Sequence, residues 1–390
     1  MNSEPVYLDY AATTPVDPRV AAAMQACLLK AGSFANPASI HVKGRQSALV
    51  VADARNRVAD LLHTSADSLI WTSGATESNN LAIQGVARAR SHRGRHLITM
   101  PTEHKAVVDT FKALEKDGFD VSWLQPDANG VLGIDTLKSA LRDDTQLVSV
   151  MHVNNETGVI QDIRGIGSLC QQHGALFHTD AAQSVGKLAI NLDELPIDLL
   201  SLTAHKFYGP QGIGALFIAD RPGTGISPIM FGGGQEKRLR PGTLPVHLIA
   251  GAGMAAAIAR DETGKNAAHC EDLRSRLWAG LEDIDGITRN GSAECTYAGI
   301  LNISADGVDG ESLMLGMQPV CVASGSACNS TSGESSYVLR ALGRDDRLAQ
   351  SAVRFSFGAD TTAADIDAAI ERYRWTLNHL RKLAPVQAVP

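Results

Sequence analysis

Several features that would narrow the role of this 390-residue chain at once are missing from it. There is no run of like charge. The 35 basic and 42 acidic residues are interspersed and leave a net charge of -7, so no direct nucleic-acid ligand is expected. The start, Met1-Asn2-Ser3-Glu4-Pro5, has no basic region followed by an apolar stretch, so no signal peptide is expected. The longest uncharged helical candidate, Leu244–Ala259, is rich in Gly and Ala and contains Pro245 and His247, which reads as a packed helix and not as a membrane span. The six cysteines (Cys27, Cys170, Cys270, Cys295, Cys321, Cys328) are scattered, with no C-x-x-C pair. Neither a disulfide framework nor a zinc site is supported, no metal is expected, and a reducing cytoplasm is the expected location. With no G-x-G-x-x-G fingerprint and no Walker A sequence, the usual dinucleotide and nucleoside-triphosphate readings lose support. No internal repeat is present.

What is there is a chain 44% hydrophobic and 20% charged, long enough for a large core and more than one domain. From about residue 50 to 260, short apolar runs alternate with helical stretches. Val50–Leu62, Asn79–Ala89, Val107–Lys116 and Ile163–His173 read as helices. Leu69–Thr72, His96–Met100, Leu147–Val153, Ala175–His178, Ile197–Leu202 and Gly214–Ile218 read as strands. This alternation predicts an α/β domain with a mostly parallel sheet. Asp17-Pro18 opens an early helix. After about residue 262 the pattern changes to amphipathic helices (Asp272–Leu281, Thr362–Leu383) around strands at Ile300–Ile303 and Val353–Ser356. The expected division is a large domain over 16–262 and a smaller α+β domain built from 1–15 and 263–390.

Open α/β sheets bind ligands at the carboxyl ends of their strands, and polar residues recur there. The apolar run Leu199–Leu202 ends at Thr203-Ala204-His205-Lys206 and is followed by a Gly-Pro turn. It presents one amine in apolar surroundings, where a lysine loses its proton more readily and becomes a nucleophile for Schiff-base formation with carbonyl cofactors. Ser73-Gly74-Ala75-Thr76 links a strand to a helix start, a natural anion site, though it could equally be an ordinary cap. Asp180, after Ala175–His178, can face a pyridinium nitrogen or cap the next helix, and Gln183 lies close by. His104 follows another strand; an imidazole can stack on a flat ring and shuttle protons. Asn154-Asn155 offers amide donors.

Taken together, these stretches resemble cysteine desulfurases of the IscS/NifS type, within the aspartate-aminotransferase (fold type I) superfamily. The matching segments are Tyr7–Pro15, Thr72–Ser78, Thr102–Val107, His152–Gly158, the Lys206 segment, Arg240–Pro245 and Ser324–Cys328, spread over nearly the whole chain. The resemblance implies a large domain with a seven-stranded type of sheet and pyridoxal 5'-phosphate bound covalently at Lys206. Asp180 would pair with the ring nitrogen, Gln183 with the ring hydroxyl, and His104 would stack on the ring. Ala75, Thr76, Thr203 and His205 would hold the phosphate, and Thr243 would reach the phosphate of a neighbouring subunit, implying a homodimer. Asn155 and Arg354 would bind the substrate carboxylate, for which the arginine fork is suited.

A second nucleophile is expected at Cys328. Its surroundings, Ala323 to Ser336, are small, polar and almost uncharged, a linker composition in which a thiol is exposed and movable. No Lys or Arg adjoins it, so deprotonation is expected to be assisted inside the pocket by His104. The expected reaction converts L-cysteine to L-alanine and leaves a persulfide on Cys328. Rival readings are an aminotransferase or selenocysteine lyase of the same fold, and a non-catalytic assembly platform. Acceptors of such sulfur serve iron–sulfur cluster assembly, tRNA thiolation or DNA phosphorothioation. IscS-like members commonly continue past the point where this chain ends at Pro390, which turns the expectation toward DNA modification.

Overall fold

In the computed structural model, residues 4–324 and 335–383 are described; Cys328 and its neighbours in the Ser324–Cys328 segment lie outside them. One seven-stranded sheet holds β1 (Leu69–Thr72), β2 (His96–Thr99), β3 (Asp120–Trp123), β4 (Thr145–Ser149), β5 (Leu176–Asp180), β6 (Leu199–Thr203) and β7 (Gly214–Ile218), in the order β1-β7-β6-β5-β4-β2-β3. Strands β2 to β6 pair parallel with one another. Only β7 is reversed, antiparallel to both β6 and β1. The carboxyl ends of the other strands therefore open on one edge of the sheet, and the α/β, mostly parallel architecture holds.

The helices of this part are α1 (Pro18–Gln25), α2 (Val42–Leu62), α3 (Ala75–Ala89), α4 (Lys105–Lys116), α5 (Ile134–Ala140), α6 (Ile163–His173) and α7 (Val246–Ala279). Strand side chains alternate between faces. Leu69, Trp71, Val148, Phe177 and Leu200 enter a core with Val58 and Leu62 of α2, Ile166 of α6 and Ile249 of α7. Their neighbours Ile70, Leu147, Leu176 and Leu199 enter the opposite core with Leu81 and Val86 of α3 and Phe111 of α4. Central strands buried on both faces read as continuous apolar runs, which is why they are visible in the sequence.

A four-stranded sheet of β8 (Ile287–Arg289), β9 (Ile300–Ala305), β10 (Ala323–Ser324) and β11 (Val353–Ser356) is antiparallel throughout, in the order β10-β11-β9-β8. With α8 (Gly310–Gly316), α9 (Tyr337–Ala341), α10 (Asp346–Gln350) and α11 (Ala363–Leu383), it packs around Leu301, Phe355, Tyr373 and Leu377. The amino-terminal segment joins it: Tyr7 bridges to Cys321 and Asp9 to Ser356.

Two sequence expectations differ from the structure. Leu244–Ala259 and Asp272–Leu281 are not separate helices; α7 runs unbroken through residue 262. Its small residues allow close contact, since a Cβ on Gly253 would meet Ala54 of α2 at 2.5 Å. We propose a division into two domains that passes through the middle of α7. Strand β3 was not expected. It lies on the sheet edge, paired with β2, and its exposed Asp120 and half-buried Ser122 dilute the apolar pattern.

One close approach shapes the ligand edge. Gly74 caps α3 at φ 153°, a conformation suited to glycine. A Cβ on Gly214 would meet Gly74 Cα at 2.7 Å and the Leu202 carbonyl at 2.4 Å, both backbone. Gly214→Ala should therefore cost about 1–3 kcal/mol as strain and push the α3 amino terminus outward. Urea unfolding checks the first effect and retention of pyridoxal phosphate through dialysis checks the second. An unchanged midpoint would contradict the proposed crowding.

Candidate active site

At the carboxyl edge of the seven-stranded sheet lies a cavity of about 570 Å³, lined by Ala75, Thr76, His104, Asn155, Asp180, Gln183, Thr203, His205, Lys206 and Arg354 among others. They come from several different connections between strands and helices. Ala75 and Thr76 open α3, where unpaired helical amides face the cavity mouth. Asp180 closes β5 and is buried; one carboxylate oxygen accepts from Asn79 Nδ2 at 2.7 Å, the other from the Ala182 amide at 2.9 Å. Thr203 ends β6, and its hydroxyl donates to the Ile213 carbonyl at 3.4 Å. Lys206 follows one short turn later, its Nζ donating to the carbonyls of Ala11 and Ala12, each at 2.6 Å.

Electrostatics follow from burial. His205 is pushed down to about 4, by burial first and then by Lys206 and Lys187. It is therefore neutral near pH 7 and serves an anion as a hydrogen-bond donor, not as a cation. Its Nδ1 lies 3.1 Å from the Thr13 hydroxyl. His104 caps α4, with Nδ1 accepting from the Ala106 amide at 3.1 Å. In the neutral ring the proton then sits on Nε2, which makes that atom a donor. Arg354, on β11, is almost wholly buried: it donates to the Asn155 carbonyl at 2.8 Å and pairs with Asp9 at 2.7 Å. Among the described residues its Nε meets no partner. Glu103 is fully buried, and burial raises its carboxyl well above the usual range.

The donor set fits a flat, phosphorylated pyridine aldehyde. A helix amino terminus and hydroxyls gather at one end, a carboxylate stands within the sheet edge, and one amine reaches the cavity. The chain was compared with known proteins on this basis. The aminotransferase class-V family model matches residues 6–369. The cysteine desulfurase IscS of Shewanella woodyi is 51% identical over 383 residues, covering 98% of this chain and 95% of that protein. The chain belongs to the cysteine desulfurase family, whose members depend on pyridoxal phosphate. Among solved structures, a NifS-like protein superposes with a TM-score of 0.89 at 36% identity, covering 96% of this chain and all of the other. SspA in complex with cysteine superposes with a TM-score of 0.79 at 37% identity, covering 90% of this chain and 98% of the other. The fold type I architecture is thus shown.

Ten of the residues expected from sequence for this desulfurase site line the cavity. Thr243 does not; it is exposed on the loop before α7. Cys328 lies outside the described residues. Sequence reading missed the Ala11 and Ala12 carbonyls, Asn79 behind Asp180, and Lys187, whose Nζ donates to Gln183 Oε1 at 2.7 Å. Alanine backbone leaves no sequence signal. Lys187 has one: it stands four residues after Gln183.

The desulfurase site also sets an acid limit. His178 bridges the hydroxyls of Ser149 and Ser201 beneath Asp180. Burial lowers it to about 3 and lowers His152 to about 4. The unfolded chain binds these protons near pH 6.5 and the folded chain does not. Stability is therefore fully present above pH 6.5 and falls as the pH drops toward 4. Each group adds up to about 1.4 kcal/mol per pH unit. Urea midpoints measured from pH 7 to 4.5 should fall steadily, and His178→Asn should lessen the slope by one proton. A midpoint that stays constant over this range would refute it.

Proposed function

We propose that the chain carries out cysteine desulfuration with Lys206 as the cofactor lysine and Cys328 as the sulfur-accepting thiol. L-cysteine gives up its sulfur to Cys328, leaving L-alanine and a Cys328 persulfide. The solved relative with cysteine bound supports this substrate. Bound at Lys206, pyridoxal phosphate would supply an electron sink for the substrate α-carbon.

The chain's own groups have distinct tasks. Lys206 Nζ takes and returns the α-carbon proton. Asp180, fixed by Asn79 and the Ala182 amide, holds the ring nitrogen. The α3 amino terminus with Ala75, Thr76 and Thr203, and neutral His205, bind the phosphate. Arg354, pre-oriented by Asp9 and the Asn155 carbonyl, takes the substrate carboxylate beside Asn155. His104 stacks on the ring. Because its Nδ1 is already an acceptor, the neutral ring delivers a proton from Nε2, a different task from taking one off the thiol.

The observation that carries the Cys328 assignment is the anchoring of the chain on both sides of it. Ser324 ends β10, whose Ala323 pairs with Arg354. On the other side, Ser336 donates to Glu156 Oε2 at 2.5 Å and Tyr337 donates to the Glu103 carbonyl at 2.8 Å, next to Asn155 and His104. Cys328 is the fourth residue after Ser324, and an extended chain covers at most about 14 Å over that length.

Homodimer formation is supported by a cluster of exposed apolar side chains around α1 and α2: Leu28, Leu29, Phe34, Ile40, Val42 and Leu49. Exposed Thr243 would reach the neighbouring phosphate in such a dimer. The acceptor is another protein, of iron–sulfur assembly, tRNA thiolation or DNA phosphorothioation. A cytoplasmic location is supported by the free thiols Cys27, Cys170, Cys270, Cys295 and Cys321. No helix among the described residues is long and apolar enough to cross a membrane.

Lys206→Ala should lower alanine formation by at least about a thousandfold. Cys328→Ser should keep the bound cofactor's visible absorbance and lose the protein persulfide, read by mass spectrometry after incubation with cysteine. Normal sulfur release by Cys328→Ser would remove Cys328 from the reaction.

A further inference from the structure

Behind Lys206, away from the cofactor cavity, is a second and much smaller cavity of about 20 Å³. Lys206 lines both cavities, and the small one is also lined by Lys187, Cys270 and Tyr297. A second lysine this close to the cofactor lysine is electrostatically costly. Burial first, and then the Lys206 and Arg354 charges, press the Lys187 amine down to about 7, with only Cys270 opposing. The Tyr297 ring faces its Nζ at 5.4 Å, a weak cation–π contact. Tyr10 and Tyr208 complete the ionisable lining. None of these is a carboxylate, so Lys187 is not here as half of an ion pair.

Its one strong contact is with Gln183. Lys187 Nζ donates to Gln183 Oε1 at 2.7 Å, and Gln183 Nε2 donates to the Ala11 carbonyl at 2.7 Å. A lysine has no acceptor and a carbonyl has no donor, so these two partners together permit one orientation of the carboxamide. The same Ala11 carbonyl accepts from Lys206. The four groups form one chain: Lys187, Gln183, Ala11, Lys206. In that orientation the second Nε2 hydrogen of Gln183, which itself lines the cofactor cavity, is the donor left for a ligand oxygen.

We propose that Lys187 is a positioning residue, which locks the Gln183 carboxamide with its nitrogen toward the cofactor's ring oxygen. The assignment rests on the reading of Lys206 and Gln183 as cofactor-site residues. Without Lys187 the carboxamide can turn its oxygen toward the ring oxygen, replacing a donor by a repelling acceptor. The role is not catalytic, because Lys187 touches neither substrate nor cofactor.

The test is a double-mutant cycle read as affinity of the apoprotein for pyridoxal phosphate, with no turnover. Lys187→Met should weaken uptake roughly three- to tenfold, the worth of one hydrogen bond. Gln183→Leu should weaken it by a similar factor, and Lys187→Met in the Gln183→Leu background should add nothing. Lys187→Arg, which keeps the donor, should stay within about twofold of the natural protein. In the holoenzyme, Lys187→Met should also move the pH at which the cofactor's visible absorbance changes upward, since both a cation and a donor to the ring oxygen are lost; Lys187→Arg should not. Full additivity of the two affinity losses overturns the proposal, as does unchanged uptake in Lys187→Met. Should Lys187→Met fail to fold, Lys187→Arg decides: a loss as large as that of Gln183→Leu overturns it. Failure of the natural apoprotein to take up pyridoxal phosphate at all would instead overturn the cofactor-site reading.

Discussion

The site depends on a strap of backbone laid across the open edge of the large sheet. Residues from Leu8 to Thr14 belong by pairing to the small sheet, yet they make their contacts on the large one. Asp9 bridges to Ser356, and the Ala11 amide donates to the Ser356 hydroxyl at 2.9 Å. From that fixed point the Ala11 and Ala12 carbonyls hold the Lys206 amine, and the Thr14 amide and hydroxyl both donate to the His205 carbonyl. Lys206 is thus aimed by a segment nearly two hundred residues away in the chain. If Lys206 is the cofactor lysine, as proposed, its amine would have to leave these two carbonyls to meet the aldehyde, so the strap would hold the nucleophile until the cofactor binds.

Around this strap, burial is used to keep charges few. His178 and His205 are neutral near pH 7, and burial raises the Glu103 carboxyl well above its usual range. The remaining fixed charges are paired or shared: Arg354 with Asp9, and Asp180 with two neutral donors. Low effective dielectric strengthens each of these contacts. Among the described residues Arg354 Nε has no partner, and on the proposed reading the substrate carboxylate would complete it. A guanidinium with both Nη atoms already oriented loses little further freedom on accepting a carboxylate.

How much of this was legible beforehand follows from which atoms do the work. Lys206, Asp180 and His104 stand at or after the carboxyl ends of strands, and strands buried on both faces announce themselves as apolar runs, whereas Arg354 sits inside β11. Ala11 and Ala12 act through backbone carbonyls, so nothing in their identity marks them. Lys187 stands between a glycine and a leucine, and only the fold places it behind Lys206. The reading of α7 as two helices failed for a related reason. Its polar stretch near Asp261 is solvent-facing, while Gly253 and Cys270 are buried on the inner side, and a change of composition along one helix was taken for an end. Strand β3 was invisible because an edge strand needs only one apolar face.

The placement of the expected sulfur carrier has a consequence for how sulfur leaves. The chain on either side of Cys328 is held by groups that belong to the site itself: Arg354 through β10 and β11, and Glu103 and Glu156 through Tyr337 and Ser336. Glu103 and Glu156 flank His104 and Asn155 in sequence. If Cys328 is the sulfur-accepting thiol, as proposed, these anchors would keep the cost of closing the chain onto the cavity small, and an acceptor would have to meet the sulfur at the rim between β10 and α9, so that selection among acceptors would fall to the surface around that rim and not to the cofactor chemistry beneath it.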